Sequence, residues 1–266
     1  MEERGGKRTD EAEALREFFE VQLIFAYTYA KRAALTFSDA CLRFTNLHWR
    51  LGLGTVSDGS PSPGWRRYSN GLEQRASMTD RLDWTVAFFA DGTPEEDARP
   101  RFGCFRFDAP TEAGVVRIHF SNRDSTGGCG PLAHPKFGIR IDELRRMFQA
   151  IRTYHPDART IRGSSWLYNI DAYRRLFPPE YVAASFYPKQ LRLNGTSSWG
   201  QVIDFRGQVK SDIRQALLDR IRHVDVDAPW KAFPLPALGV EASVEQFYRF
   251  YGSQPLARKS GLPNVG

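Results

Sequence analysis

Apolar residues recur at helical spacing through the first fifty positions, and that pattern predicts how the front of the chain is built. From Asp10 to Arg32, the residues Leu15, Phe18, Phe19, Leu23, Ile24 and Tyr27 fall on one helical face, with Asp10 as a cap. A second helix is expected from Ser38 through Leu42, Phe44 and Leu47, ended by Gly52 and Gly54, so that the two form a hairpin. Ser57 to Gly64 is rich in turn formers and reads as an exposed loop separating this helical front from the rest of the chain.

From Arg81 the period changes to two. Leu82, Trp84, Val86 and Phe88 alternate with Asp83, Thr85 and Ala87 and predict a strand. Phe102 to Asp108 and Val115 to Ser121 predict two more, joined through Pro110 and Gly114 into an antiparallel meander. A glycine-containing segment, Asn122 to Gly138, then leads to a helix capped by Asp142, with Leu144, Met147, Phe148 and Ile151 on one face. Arg159 to Tyr181 is the most informative stretch. Within it Thr160 to Tyr168 reads as a strand, Asn169 or Asp171 as the cap of a short helix, and Pro178-Pro179 as its stop. Strands near Gln190 to Leu193 and Trp199 to Phe205 are expected next, then helices at Ser211 to His223 and Val244 to Tyr251. The expected fold class is α/β (α+β), a mixed, largely antiparallel sheet with helices. Its domains would be a helical region at 1–56, a mixed core at 65–224 and a Pro-rich C-terminal extension at 225–266.

Composition narrows the function classes. The 266 residues, 41% hydrophobic, suffice for a sizeable core. Three cysteines without a CxxC spacing suit a reducing compartment, and the longest apolar run is too short to cross a bilayer, so a soluble cytoplasmic protein with no membrane partner is expected. The formal net charge of +6 favours anionic partners. No Walker loop, strand-bound Gly-x-Gly-x-x-Gly or Gly-x-Ser-x-Gly elbow occurs, which argues against nucleoside-triphosphate hydrolysis, dinucleotide redox chemistry and the α/β-hydrolase mechanism. Cys129 and His134 lack the second pair of ligands that a zinc site needs, so no metal is expected.

The element order across Arg81 to Leu193 resembles the core of the GNAT acyltransferase superfamily. Two short motifs carry the resemblance further: the loop Arg123-Asp-Ser-Thr-Gly127-Gly128-Cys129-Gly130 and the segment Asn169-Ile-Asp-Ala172. The resemblance implies transfer of an acyl group to a small amine or hydroxyl acceptor, with acetyl-CoA or another acyl-CoA as co-substrate. It also implies that Arg123 and the backbone of Gly127, Gly128 and Gly130 hold the pyrophosphate, with Asn169 opening the second motif. Leu176 stands where the family often places a tyrosine acid, so that role does not carry over.

Candidate chemistry comes from residue types. His119 shares a strand face with Val115, Arg117 and Ser121, and histidine is suited to proton transfer near neutrality. Ser165 and Tyr168, with Ser164, could orient or protonate a leaving thiolate. The alternative is a non-catalytic basic protein that binds nucleic acid or a protein partner. It would use Arg140, Arg145, Arg146, Arg152 and Arg174-Arg175 as a phosphate-binding face, with Tyr154 and Trp199 for stacking.

Overall fold

The computed structural model of the chain describes residues 2–53, 61–92 and 100–252. In chain order the helices begin with α1 (Glu2–Ala14), α2 (Arg16–Ala33), α3 (Phe37–Phe44), α4 (Leu47–Arg50), α5 (Pro63–Glu73) and α6 (Met78–Asp91). Strands β1 (Phe105–Phe107) and β2 (Val115–Phe120) come next, then α7 (Phe137–Tyr154), β3 (Thr160–Ser165), α8 (Asp171–Arg174) and α9 (Pro179–Ala183). The last elements among the described residues are α10 (Thr196–Trp199), α11 (Ser211–Ile221), β4 (Leu238–Ser243) and α12 (Val244–Tyr251).

These elements separate into two units that interleave along the chain. The first comprises 1–98, 165–169 and 187–237; the second comprises 99–164, 170–186 and 238–266. Helices gather in the first unit, where Phe18, Phe19, Leu23 and Phe25 of α2 are fully buried beside Leu72, Trp199 and Phe233. The Trp199 indole ring stands edge-on to Phe25 at 5.4 Å and to Phe233 at 4.8 Å, and its N–H donates to the Phe44 carbonyl at 3.2 Å. Aromatic rings meeting edge to face, with the polar handle satisfied, make this the centre of the helical core.

The stretch expected as a strand at 82–90 is helical instead. Ser77 Oγ accepts from the Asp80 N–H while the Asp80 carboxylate accepts from the Ser77 N–H, a reciprocal cap that starts α6. Thr85, Val86, Phe88 and Phe89 then form one buried face, so a short run that alternates also satisfies the helical period. The expected three-stranded meander is therefore a two-stranded hairpin. No strand forms at 190–193 or 199–205: α10 occupies 196–199, and an isolated bridge joins Ile203 to Val209. Thr36, not Ser38, caps α3, accepting from the Asp39 N–H. The helix expected from Asp142 begins five residues earlier, and β3 ends at Ser165, where a 3-10 turn takes over through Asn169. Of the loop expected at 57–64, residues 57–60 lie outside the described residues, and Pro63 and Gly64 belong to α5, which Ser62 caps.

The second unit holds the sheet, in the order β1-β2-β3-β4. Strand β1 pairs antiparallel to β2, with Phe105 opposite Phe120 and Arg106 opposite His119. Strand β2 pairs parallel to β3, with Val116 opposite Ile161 and Arg117 opposite Arg162. The fold is thus mixed α/β, and α7 is the crossover between the parallel pair. Because strand side chains alternate, one sheet face carries the buried Phe105, Val116, Ile118 and Ile161, while the other carries Arg106, Arg117, His119 and Arg162. Leu144, Met147, Phe148 and Ile151 of α7 are buried, and Phe148 stacks on Phe247 and Tyr251 of α12 at 4.7 and 5.1 Å. Among the described residues no helix is long and apolar enough to cross a membrane.

Candidate functional site

Strand β2 and the loop that follows it carry both parts of the candidate site along one stretch of chain within the second unit. His119 stands next to its last residue, and the chain runs on from Phe120 into the 121–136 loop and then α7. The antiparallel register sets Arg106 of β1 across from His119 and carries Asp108, two residues on, to the same face. His119 Nε2 lies 2.7 Å from Asp108 Oδ2, and Arg106 lies 3.7 Å from the other carboxylate oxygen. An ionised carboxylate only accepts, so Nε2 is the donor, and the neutral form of a ring held this way carries its lone pair on Nδ1. Both side chains keep 36% of their surface exposed, which places the dyad at an open face and not in a closed core.

The loop is anchored from below by buried charge. Lys136 Nζ donates to the Asp124 carboxylate at 2.8 Å and to the carbonyls of Asp124 and Cys129 at 3.0 and 3.1 Å. Arg140, only 2% exposed, pairs with Asp124 at 2.7 Å and with Glu143 at 3.0 Å, and its guanidinium also meets the Cys104 sulfur. Glu143 in turn accepts from the Cys104 N–H at 3.1 Å. Two cations and two carboxylates therefore close on one another. The Lys136 ammonium and the Thr126 hydroxyl hold the Asp124 carboxyl well below the usual carboxylate range, whereas burial pushes Glu143 up. Burial also raises the Cys104 thiol, which stays protonated.

Gly103 is the backbone requirement of this arrangement. It has φ +61°, and a Cβ added there would sit 1.9 Å from a Glu143 carboxylate oxygen. Gly103→Ala is expected to cost about 2–4 kcal/mol, from left-handed strain plus displacement of a buried hydrogen-bonded carboxylate. Urea denaturation measures it, and a loss under about 0.5 kcal/mol, the range of ordinary surface changes, would show that Glu143 moves aside freely.

Above this anchor the loop is exposed. Gly127 and Gly128 take left-handed conformations at φ +64° and +67° with no neighbouring atoms where a Cβ would project, so their backbone is open to approach. Arg123 is exposed, and Gly130 accepts from the Ala133 N–H in the turn that leads to Lys136. His119 and these four loop residues thus belong to one strand-loop segment. Ser165, Tyr168 and Asn169 belong to the other unit. Ser165 Oγ accepts from the Leu167 N–H, Tyr168 is buried, and the Asn169 amide donates to the carbonyls of Trp166 and Pro236 at 2.7 and 2.8 Å.

The arginines expected to form a basic face are mostly engaged inside their own unit. Arg140 is buried, Arg145 pairs with Asp142, Arg174 with Asp171, and Arg175 lies over the Phe137 ring. Trp199, offered by the sequence for stacking, has no exposed surface, while Tyr154 is 66% exposed. The partner of His119 that sequence reasoning misses is Asp108, although alternation along 105–108 already puts Arg106 and Asp108 on a common face. Among the described residues no group of three His, Cys, Asp or Glu side chains converges as a metal site. No family model, no curated protein and no solved structure matches this chain.

Proposed function

We propose that the second unit is an acyltransferase that uses acetyl-CoA or another acyl-CoA and acts on a small amine or hydroxyl acceptor, through a GNAT-like core. One observation carries the reading. A parallel strand pair, β2 and β3, is joined through a loop with an open glycine backbone and a crossover helix, and an Asp-held histidine stands at the carboxyl end of β2. In open α/β sheets, ligands bind outside the carboxyl ends of parallel strands, where chain direction leaves a crevice. Gly127 and Gly128 offer backbone amides without a side chain in the way, and Arg123 adds a positive charge, which together suit a pyrophosphate. Gly130 and the loop anchor set the position of those amides.

His119 Nδ1 takes the proton from the acceptor N–H or O–H as that atom attacks the thioester carbonyl. The new C–N or C–O bond forms, the C–S bond breaks, and the thiolate leaves to recover a proton. Asp108 fixes the ring and stabilises the imidazolium that forms. His119→Ala is expected to lower turnover by about a hundredfold or more while CoA still stabilises the protein against heat, because loss of proton transfer leaves cofactor affinity in place. Arg123→Ala should weaken CoA binding with a smaller effect on turnover. Thiol release from acetyl-CoA and thermal stabilisation by CoA are the two readouts. Absence of any CoA-dependent stabilisation at millimolar concentration would sink the reading.

A further inference from the structure

The open face of the sheet has an electrostatic imbalance that the loop and the His119-Asp108 dyad do not explain. Arg117 and Arg162 are register partners on adjacent parallel strands, about 4.8 Å apart, so their side chains leave the sheet on the same face. Like charges directly across a sheet are destabilising. The carboxylates of this face are already engaged: Glu241 of β4 pairs with Arg162 at 2.7 Å, and Asp108 holds His119 and meets Arg106. Arg117 is exposed and, among the described residues, its side chain has no hydrogen-bond or ion-pair partner. It lies two residues from His119 on the same strand face, about 7 Å along the strand.

We infer that Arg117 is the binding site for an oxyanion, carboxylate or phosphate, carried by a small molecule whose amine or hydroxyl lies at His119. This rests on the acyl-transfer reading for the identity of that molecule as the acceptor, but the anion site itself stands on the sheet face alone. A guanidinium matches the planar, two-oxygen geometry of either anion, and among the described residues Arg117 is the arginine of this face that no carboxylate engages. The strand spacing selects an acceptor with a nucleophile and an anion separated by a few bonds, such as an amino acid or a phosphorylated amino alcohol, over a simple amine.

The test is a calorimetric titration of the full chain with phosphoethanolamine, β-alanine and ethanolamine. Phosphoethanolamine or β-alanine should saturate the protein, and the tighter of the two distinguishes phosphate from carboxylate; ethanolamine should not bind. Arg117→Ala should weaken binding by about tenfold or more, as expected for a lost charge-assisted hydrogen bond. Arg117→Lys should retain part of it, and Arg222→Ala, at an exposed arginine following α11 in the first unit, should bind as the native protein does. Failure of both anions to saturate the native protein, or unchanged binding by Arg117→Ala, overturns the inference. Thiol release from acetyl-CoA separates it from the reading it rests on. Anion binding through Arg117 with no thiol release removes acyl transfer and keeps the site. Equal release with ethanolamine and phosphoethanolamine, with KM unmoved by Arg117→Ala, keeps acyl transfer and removes the site.

Discussion

Arg140→Ala is expected to destabilise the second unit by about 3–5 kcal/mol, because removing one member of a buried ion-pair network leaves uncompensated charge behind. Arg140 touches Asp124, Glu143 and the Cys104 sulfur; without it Asp124 keeps Lys136, and Glu143 loses its ion pair. Glu143 is then the group left worst off, since burial already works against its charge. Adding Glu143→Gln should recover part of the loss, and a double-mutant cycle read by urea denaturation measures how much. Additive effects of the two changes would show that they do not interact. Asp124 contributes to the acid limb of stability. Its folded-state pKa is depressed, so the stability it contributes is complete above its unfolded value near 4 and is lost as pH falls below that. Glu143 is shifted the other way, so its penalty is felt above its ordinary range and fades as pH falls. The stability gap between the native protein and Asp124→Asn should accordingly be wide at pH 7 and close below about pH 4.

Trp199→Ala should cost the helical unit about 3–5 kcal/mol, the range for emptying a large aromatic site in a packed core. The ring is fully buried, and Phe18, Phe25 and Phe233 all meet it edge-on, so no single neighbour can swing in to fill the space. Trp199→Phe should cost less. It keeps most of the ring volume and loses the indole donor to the Phe44 carbonyl, a hydrogen bond whose loss leaves a buried acceptor unpaired. Denaturation midpoints of the two variants give the comparison. If alanine proved as mild as phenylalanine, Trp199 would not be a core residue.

Both predictions depend on side chains that sequence alone misplaces. Arg140 reads as part of a solvated or phosphate-binding helix face, because it shares its helix with the exposed Arg145 and Arg146. Its partner Asp124 comes from a loop sixteen positions earlier, and helical periodicity carries no trace of that approach. Trp199 reads as a strand residue available for stacking, since a short aromatic run flanked by serine and glycine fits an exposed strand as well as a buried turn.

What the sequence determined by itself was local. The helices near 137–154, 211–221 and 244–251 and the strands at 105–107, 115–120 and 160–165 follow from periodicity, with ends that lie within about five residues of those the pattern predicts. So is the face of β2 that carries Arg117 and His119, because alternation is a property of the strand alone. Two further elements carry local signals that a reading by period and composition passes over. Ser62 and Pro63 start α5, whose Trp65, Tyr68, Ser69 and Leu72 recur at helical spacing, and β4 lies in a stretch whose prolines mask its short apolar run. The tertiary structure decided everything that joins distant segments. Strand register brought Asp108 to His119 and set Arg117 beside Arg162; loop return closed Asp124 on Arg140; and the chain's passage between units assigned Ser165, Tyr168 and Asn169 to a different body from His119. Pairing and burial of charge depend on which segments meet in space, and no window along the chain contains both partners.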